Sequence, residues 1–368
     1  MIKLPGLIDP HVHMRQPGAE HKEDWDSGTA AALAGGFTAV LAMPNTKPPV
    51  TDAATLHLAS GLASRHARCD YALFLGAGPD NAAEAAALAP RTAGLKLYLD
   101  QTYGPLRLDD MTLWAPHFQQ FRGGGPLAIH AEGRTMAAAI LFAALYSTPV
   151  HICHVATREE ILLIRKAKEQ GLPVTCEVAP HHLFLSIADL PRIGTGRGEV
   201  RPRLASPADV QALWDNLDMI DCFATDHAPH TLAEKDSPTP PPGFPGLETC
   251  LPLLLTAVHE GRLALEDIVL RCHTNPRRIF HLPEQPDTWV EVDEDAAGTI
   301  HAAGAHTRCG WTPFEGMPVR GRVVRVVLRG KTAFEDGRVI APPGSGLDCR
   351  SLPPTGIPDA PASFANPD

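Results

Sequence analysis

Short apolar runs alternate along this chain with alanine-rich stretches whose apolar positions recur at helical spacing. The runs lie at 6–13, 37–45, 71–77, 94–99, 126–130, 149–155, 173–178 and 219–226. Helix candidates fall between them at 25–34, 53–65, 134–144, 158–170 and 207–216. Near-continuous apolar strands separated by helices predict a parallel sheet covered on its outside. Periodicity alone does not separate a closed barrel from an open doubly wound sheet, but eight strands favour closure. The expected fold class is α/β, a (β/α)8 TIM barrel with a small accessory β-domain.

After a last helix near 265–273 the texture changes. Segments 288–292 and 321–329 alternate like half-exposed strands, and 330–338 reads as a hairpin region. The expected division is a barrel over 1–283 and an accessory β-domain over 284–343, joined by the first few residues. A Pro/Gly-rich C-terminal extension or linker with little to bury is expected over 344–368.

Composition narrows the function classes. Lys and Arg number 32 against 42 Asp and Glu, a net charge of −10, and no basic stretch is longer than a pair such as Arg277-Arg278. Nucleic-acid binding is therefore not expected. No apolar run is long enough to span a bilayer, and the N-terminus carries no signal-peptide pattern, so a cytoplasmic protein without a membrane partner is expected. Eight scattered cysteines without a C-x-x-C pair fit reduced thiols better than a disulfide framework.

Barrel folds place their chemistry at the C-terminal ends of the strands. Those ends carry His11, His13, Asn45, Lys96, His130, His154, Glu177 and Asp226. His11 and His13 stand two residues apart, share a strand face and can reach one ion. A lone H-x-H is as often a pair of turn histidines, and a single strand-end histidine is more often a satisfied polar group. His130 and His154 beside the H-x-H turn that balance towards metal. Asp226 adds a hard oxygen that can bind metal or carry protons. Lys96 is the odd member, since an ammonium in an apolar strand carries a large desolvation cost. One reading is an ion-paired core lysine; the other is a neutral amine that captures CO2, giving a carbamate able to bridge two cations. Arg15, Asn45, Arg201 and His230 form a candidate carboxylate site. The stiff loop 240–246, with Pro242 and Gly243, could bring backbone to a ligand, and 101–106 could be a mobile lid.

These residues resemble a known family. The stretches Pro5-Gly6-Leu7-Ile8-Asp9-Pro10-His11-Val12-His13-Met14-Arg15, Ala42-Met43-Pro44-Asn45-Thr46, Gly94-Leu95-Lys96-Leu97-Tyr98, His151-Ile152-Cys153-His154-Val155-Ala156, Cys176-Glu177-Val178-Ala179-Pro180-His181-His182 and Ala224-Thr225-Asp226-His227-Ala228-Pro229-His230 look like dihydroorotases of the amidohydrolase superfamily. The resemblance runs over 4–343. It is strongest to the dihydroorotase domain of the animal multifunctional protein that also carries carbamoyl phosphate synthetase and aspartate transcarbamoylase.

The resemblance implies a zinc-dependent, reversible cyclisation of N-carbamoyl-L-aspartate to L-dihydroorotate in de novo pyrimidine (UMP) synthesis. It implies one zinc on His11, His13, carbamylated Lys96 and Asp226, and a second on Lys96, His130 and His154. It also suggests a third zinc at the rim through Cys153 and Glu177, although adjacency to His154 starts Cys153 on the opposite strand face. Asp226 would be the catalytic proton carrier. Arg15, Asn45 and His230 would hold the substrate carboxylate, and Arg201 with the Pro242-Gly243 backbone the ring. A homodimer, as a domain of a larger multifunctional protein, is implied as well. One departure stands out: the lid carries Thr102-Tyr103 where the animal branch typically has Thr-Phe. Hydantoinases, dihydropyrimidinases and allantoinases are the nearest rivals, and a non-catalytic scaffold relative is the rival from another class.

Overall fold

The computed structural model describes residues 1–351, and the chain enters it along the edge of a small sheet. There β1 (Ile2–Pro5) pairs antiparallel with a strand from the far end of the chain. The chain then passes directly into a barrel of eight parallel strands. These are β2 (Leu7–Val12), β3 (Phe37–Ala42), β4 (Asp70–Gly76), β5 (Gly94–Tyr98), β6 (Leu127–His130), β7 (Val150–Ile152), β8 (Val174–Val178) and β9 (Cys222–Phe223), neighbours in sequence order. Each falls on one of the eight apolar runs. Every residue of β2 to β6 is buried. Strands covered on both faces have no polar side, which is why they read as continuous rather than alternating.

The barrel is nearly closed. Between β9 and β2 the ladder shrinks to one parallel bridge, Val12 to His227, with the His13 amide donating to the His227 carbonyl at 2.7 Å. Side chains complete this seam. The buried Asp9 carboxylate accepts from the Thr225 hydroxyl at 2.5 Å, and from the Thr225 and His11 amides at 3.1 Å each. Burial pushes the Asp9 carboxyl up to about 7, against the pull of those bonds.

The surrounding helices start where their caps dictate. Asp24 and Ser27 form a capping box ahead of Trp25–Ala34, and Thr157 and Glu160 another ahead of Arg158–Glu169. Ile161, Ile164 and Ala167 give the second helix its buried stripe. The helix Leu247–His259 escapes the periodic reading because seven of its thirteen residues are buried, leaving little polar face to mark a period.

In the small antiparallel sheet β1 is followed by β10 (Trp289–Thr299), β11 (Pro318–Leu328), β12 (Lys331–Glu335) and β13 (Arg338–Val339). At the turn of β11 over Leu247–His259, Gly321 has φ +92°, and a Cβ there would come within 2.5 Å of Leu255. Only glycine permits that approach.

Part of the expected C-terminal extension lies among the described residues. Residues 344–351 are packed on the barrel, not free of it. The Gly344 and Gly346 amides donate to the Ala67 carbonyl at 3.0 and 2.9 Å, and the Cys349 amide to Tyr71 at 2.7 Å. Arg350 caps the Phe280 carbonyl at 2.6 Å. A segment with few apolar side chains still docks when its backbone meets groups that need partners. Residues 352–368, the rest of that expected extension, lie outside the described residues. All eight cysteines are free and buried. No helix among the described residues is long and apolar enough to cross a membrane.

Candidate active site

At the C-terminal rim three residues leave the strand conformation abruptly: Arg15 (φ +60°), His154 (φ +35°) and Asp226 (φ +46°). Left-handed backbone is costly for such side chains and gathers at functional sites. Here it turns their side chains inward over the barrel mouth. It also changes the expectation for Cys153. β7 ends at Ile152, so strict alternation no longer applies, and Cys153 Sγ sits 2.9 Å from Lys96 Nζ. Lys96 is fully buried, and its register partners on β4 and β6 are Gly76 and Ala128. Small residues on either side leave room around the amine.

The histidines are aimed by their neighbours. His13 Nδ1 is 2.7 Å from Asn45 Oδ1, and His11 Nδ1 is 2.5 Å from Glu177 Oε1. Both oxygens accept, so each ring carries its proton on Nδ1 and presents Nε2 inward. Those Nε2 atoms lie 3.2 Å (His13) and 3.3 Å (His11) from the same Asp226 oxygen. Glu177 is braced in turn by His151 at 3.1 Å. His130 Nδ1 and His154 Nε2 face each other at 2.9 Å. The other nitrogens of this pair, His130 Nε2 and His154 Nδ1, are buried without a hydrogen-bond partner among the described residues.

Charge and burial make this a cation site. Burial holds the His130 imidazole down at about 3 and the His13 imidazole at about 4, so both are neutral at pH 7. Burial opposes a charged His11 too, yet Glu177 and Asp226 hold it up at about 10. Asp226 stays well below the usual carboxylate range: burial resists, and His11, His13 and His154 prevail. These carboxylates call for positive charge, as a proton or a metal ion. Two donor sets have their ligand atoms within 4.8 Å of one another: His11, His13 and Asp226, and His11, Cys153 and Glu177. Orphaned imidazole nitrogens, carboxylate and thiol fit a divalent metal.

A cationic cluster flanks this centre. Arg15 Nε donates to the Pro229 carbonyl at 3.1 Å, and its Nη2 lies 3.1 Å from His230 Nε2. His230 Nε2 is 3.0 Å from the Pro242 carbonyl and its Nδ1 is 3.1 Å from Lys22 Nζ. An Nε2–H tautomer satisfies both, donating to Pro242 and accepting from Lys22. Burial, Arg15 and Lys22 hold His230 far below its ordinary range, so it stays neutral. Arg201 pairs with Glu199 at 3.1 Å. Gly243 (φ +143°) brings the 240–243 strap in so closely that a Cβ would sit 2.4 Å from the Ala228 carbonyl.

One cavity unites these groups. It is lined by His11, His13, Arg15, Asn45, Lys96, Thr102, Tyr103, His130, His154, Arg201, Asp226, Pro242 and Gly243, with Tyr98 and Ala228 added. Of the residues singled out from the sequence, only Cys153, Glu177 and His230 stand behind the lining. Asn45 has both ends engaged: Oδ1 on His13, and Nδ2 donating to the Tyr103 carbonyl at 3.0 Å. The lid is thus drawn in, and the free space is about 20 Å³, room for little beyond one water. Sequence reasoning missed Lys22, Glu23 and Tyr98. Lys22 and Glu23 sit in the charge run His21-Lys22-Glu23-Asp24, which reads as a solvated face, yet both are buried.

Comparison with known proteins places the chain. A family model described as Dihydro-orotase-like matches residues 1–71. The chain is 57% identical over 358 residues to the multifunctional protein CAD of Squalus acanthias, covering 97% of this chain and 16% of that protein. It therefore spans about a sixth of the length of that multifunctional relative. It is 37% identical over 353 residues to a dihydroorotase of Pyrococcus furiosus, covering 93% of this chain and 84% of that one. Among solved structures it resembles an L-hydantoinase from Arthrobacter aurescens in fold, with TM-score 0.89, 24% identity, and coverage of 94% and 88%. It also resembles the inactive dihydroorotase-like domain of a CAD-like protein from Chaetomium thermophilum, with TM-score 0.81, 31% identity, and coverage of 94% and 98%. The chain belongs to the dihydroorotase family.

Proposed function

We propose that this chain is a zinc-dependent dihydroorotase that interconverts N-carbamoyl-L-aspartate and L-dihydroorotate, a step of pyrimidine synthesis. One of the similar structures is described as inactive, so family membership alone does not decide activity; the site must. The observation that carries the reading is the cluster of Arg15, Lys22 and neutral His230 beside the His/Lys/Asp centre. A free carboxylate on the substrate would answer that charge, whereas hydantoin and dihydrouracil bring none.

His11, His13, Lys96 and Asp226 would hold one zinc ion, and Lys96, His130 and His154 the other, with Lys96 as a carbamate. When bound, the ions supply Lewis acidity to the scissile carbonyl and make water acidic near neutral pH. Asp226 takes a proton from the attacking water and delivers it to the departing ring nitrogen. In synthesis Asp226 instead removes the proton of the carbamoyl nitrogen. Arg15, Asn45 and His230 orient the carboxylate, and Arg201 with the Pro242-Gly243 backbone holds the ring. Thr102 and Tyr103 must lift to admit substrate, since the closed cavity has no space for a six-membered ring. A third ion on Cys153 and Glu177 would have to displace the proton that His11 Nδ1 shares with Glu177. The chain is read as one catalytic unit of a longer multifunctional polypeptide, which its multifunctional relatives support, and as a cytoplasmic homodimer, which rests on the family resemblance alone.

The test is ultraviolet detection of dihydroorotate loss by zinc-loaded protein with its metal counted, beside hydantoin, dihydrouracil and allantoin. Turnover of dihydroorotate that vanishes on chelation and returns with zinc is the expected result. Full metal without that turnover would assign a different cyclic amide; no metal and no turnover would assign a scaffold.

A further inference from the structure

Lys235 is buried completely against the 240–243 strap that lines the site, and nothing in the chemistry above uses it. An ammonium in such a place normally meets a carboxylate. Among the described residues Lys235 makes no ion pair. Its Nζ donates instead to three backbone carbonyls, those of Glu199 (2.6 Å), Pro241 (2.9 Å) and Gly243 (3.3 Å). Three acceptors match the three N–H donors of an ammonium, so the group is saturated. The rings of Phe244 and Trp311, each 5.5 Å from Nζ, close over the remaining side of the charge.

The three carbonyls come from two segments that do not adjoin in sequence. Glu199 leads into Arg201, while Pro241 and Gly243 flank Pro242. Among the described residues the direct hydrogen bond between the two segments runs from the Gly243 amide to that same Glu199 carbonyl, at 3.1 Å. Trp311, over the charge, donates its indole N–H to the His230 carbonyl at 2.7 Å, which ties the carboxylate side of the site to the same unit. Burial pulls the Lys235 ammonium down to about 7, opposed by Glu199 and assisted by Arg15.

We propose that Lys235 is a positioning residue whose ammonium pins the 240–243 strap to the 199–201 segment, and so sets the spacing of the two arms that grip the substrate ring. This rests on the dihydroorotase reading for the identity of the ring, but not for the pinning itself. The role differs from that of the metal-centre residues, because Lys235 reaches no candidate metal ligand. Its loss should therefore loosen substrate binding without emptying the centre.

The test compares the zinc-loaded wild type with Lys235→Met and Lys235→Gln, using two readouts. Hydrogen–deuterium exchange at 240–244 is expected to speed up by roughly tenfold or more, with the barrel strands unchanged. KM for dihydroorotate is expected to rise about tenfold, kcat to stay within about threefold, and bound metal to match the wild type. Unchanged exchange in a folded variant would overturn the pinning. Faster exchange with unchanged KM would overturn the positioning role. Failure of both variants to fold would also overturn the proposal, making Lys235 a determinant of barrel stability instead. A wild type that binds metal but does not turn over dihydroorotate would sink the functional reading alone, and the exchange comparison would still judge Lys235.

Discussion

The phenolic oxygen of Tyr103 accepts a hydrogen bond from Lys22 Nζ at 3.2 Å, tying the lid to the cationic side of the site. The same ammonium pairs with Glu234 at 2.9 Å and reaches His230 Nδ1 at 3.1 Å. The Tyr103 ring lies 5.3 Å from the Arg15 guanidinium and packs edge-on to His230 at 5.1 Å. The lid phenol thus occupies the neighbourhood that a substrate carboxylate would claim. That answers the question raised by tyrosine where the animal branch typically has phenylalanine: the hydroxyl finds a cation.

Tyr103→Phe removes that bond and keeps the ring. Exchange at 101–106 is expected to rise roughly fivefold, as suits the loss of about 1 kcal/mol. Turnover should stay within about threefold of wild type. Unchanged exchange would mean that the phenol does not restrain the lid.

Asp226→Asn keeps the shape of the side chain but removes its basicity. Both directions of the reaction are expected to fall by about a thousandfold or more, with the circular dichroism spectrum unchanged. An active variant would take proton transfer away from Asp226.

Lys96→Ala removes the fully buried amine that would carry the carbamate. Metal content and turnover are both expected to collapse, and native mass spectrometry of the wild type should show the gain of one CO2. Full zinc in the variant would count against a bridging carbamate. Glu177→Gln leaves the ligands of the two proposed central zinc ions in place but weakens the acceptor that orients His11, so zinc affinity there should drop by roughly 10–100-fold.

Glu234 offers a test in acid. Burial raises its carboxyl, but the bond from Lys22, the Thr231 amide and His21 outweigh this and hold it down at about 2. A depressed folded-state value means the contribution is fully present above the unfolded value near 4.5 and is lost as pH falls towards 2. Urea unfolding of wild type and Glu234→Gln should differ by roughly 1 kcal/mol at pH 7, since the pair is partly exposed, and the two should converge by about pH 2. A gap that persists in acid would show that the pair is not its source.

Local pattern recorded which surfaces are buried, and that was enough for much of this protein. Strands covered on both faces must be apolar throughout, so all eight could be read directly. Because such a barrel delivers side chains to one rim, His11, His13, Lys96, His130, His154 and Asp226 could be gathered from five strands before any contact was known. Pattern does not record partners. Lys22 and Lys235 stand in polar stretches that look solvated, and only tertiary structure supplies Tyr103 and His230 to the first and three carbonyls to the second. Asp9 became the barrel seam because Thr225, 216 residues away, arrives beside it. The inward turn of Cys153 depends on β7 ending at Ile152 and on a left-handed His154. A backbone dihedral of that kind is chosen by the packing around it and leaves no trace in residue type.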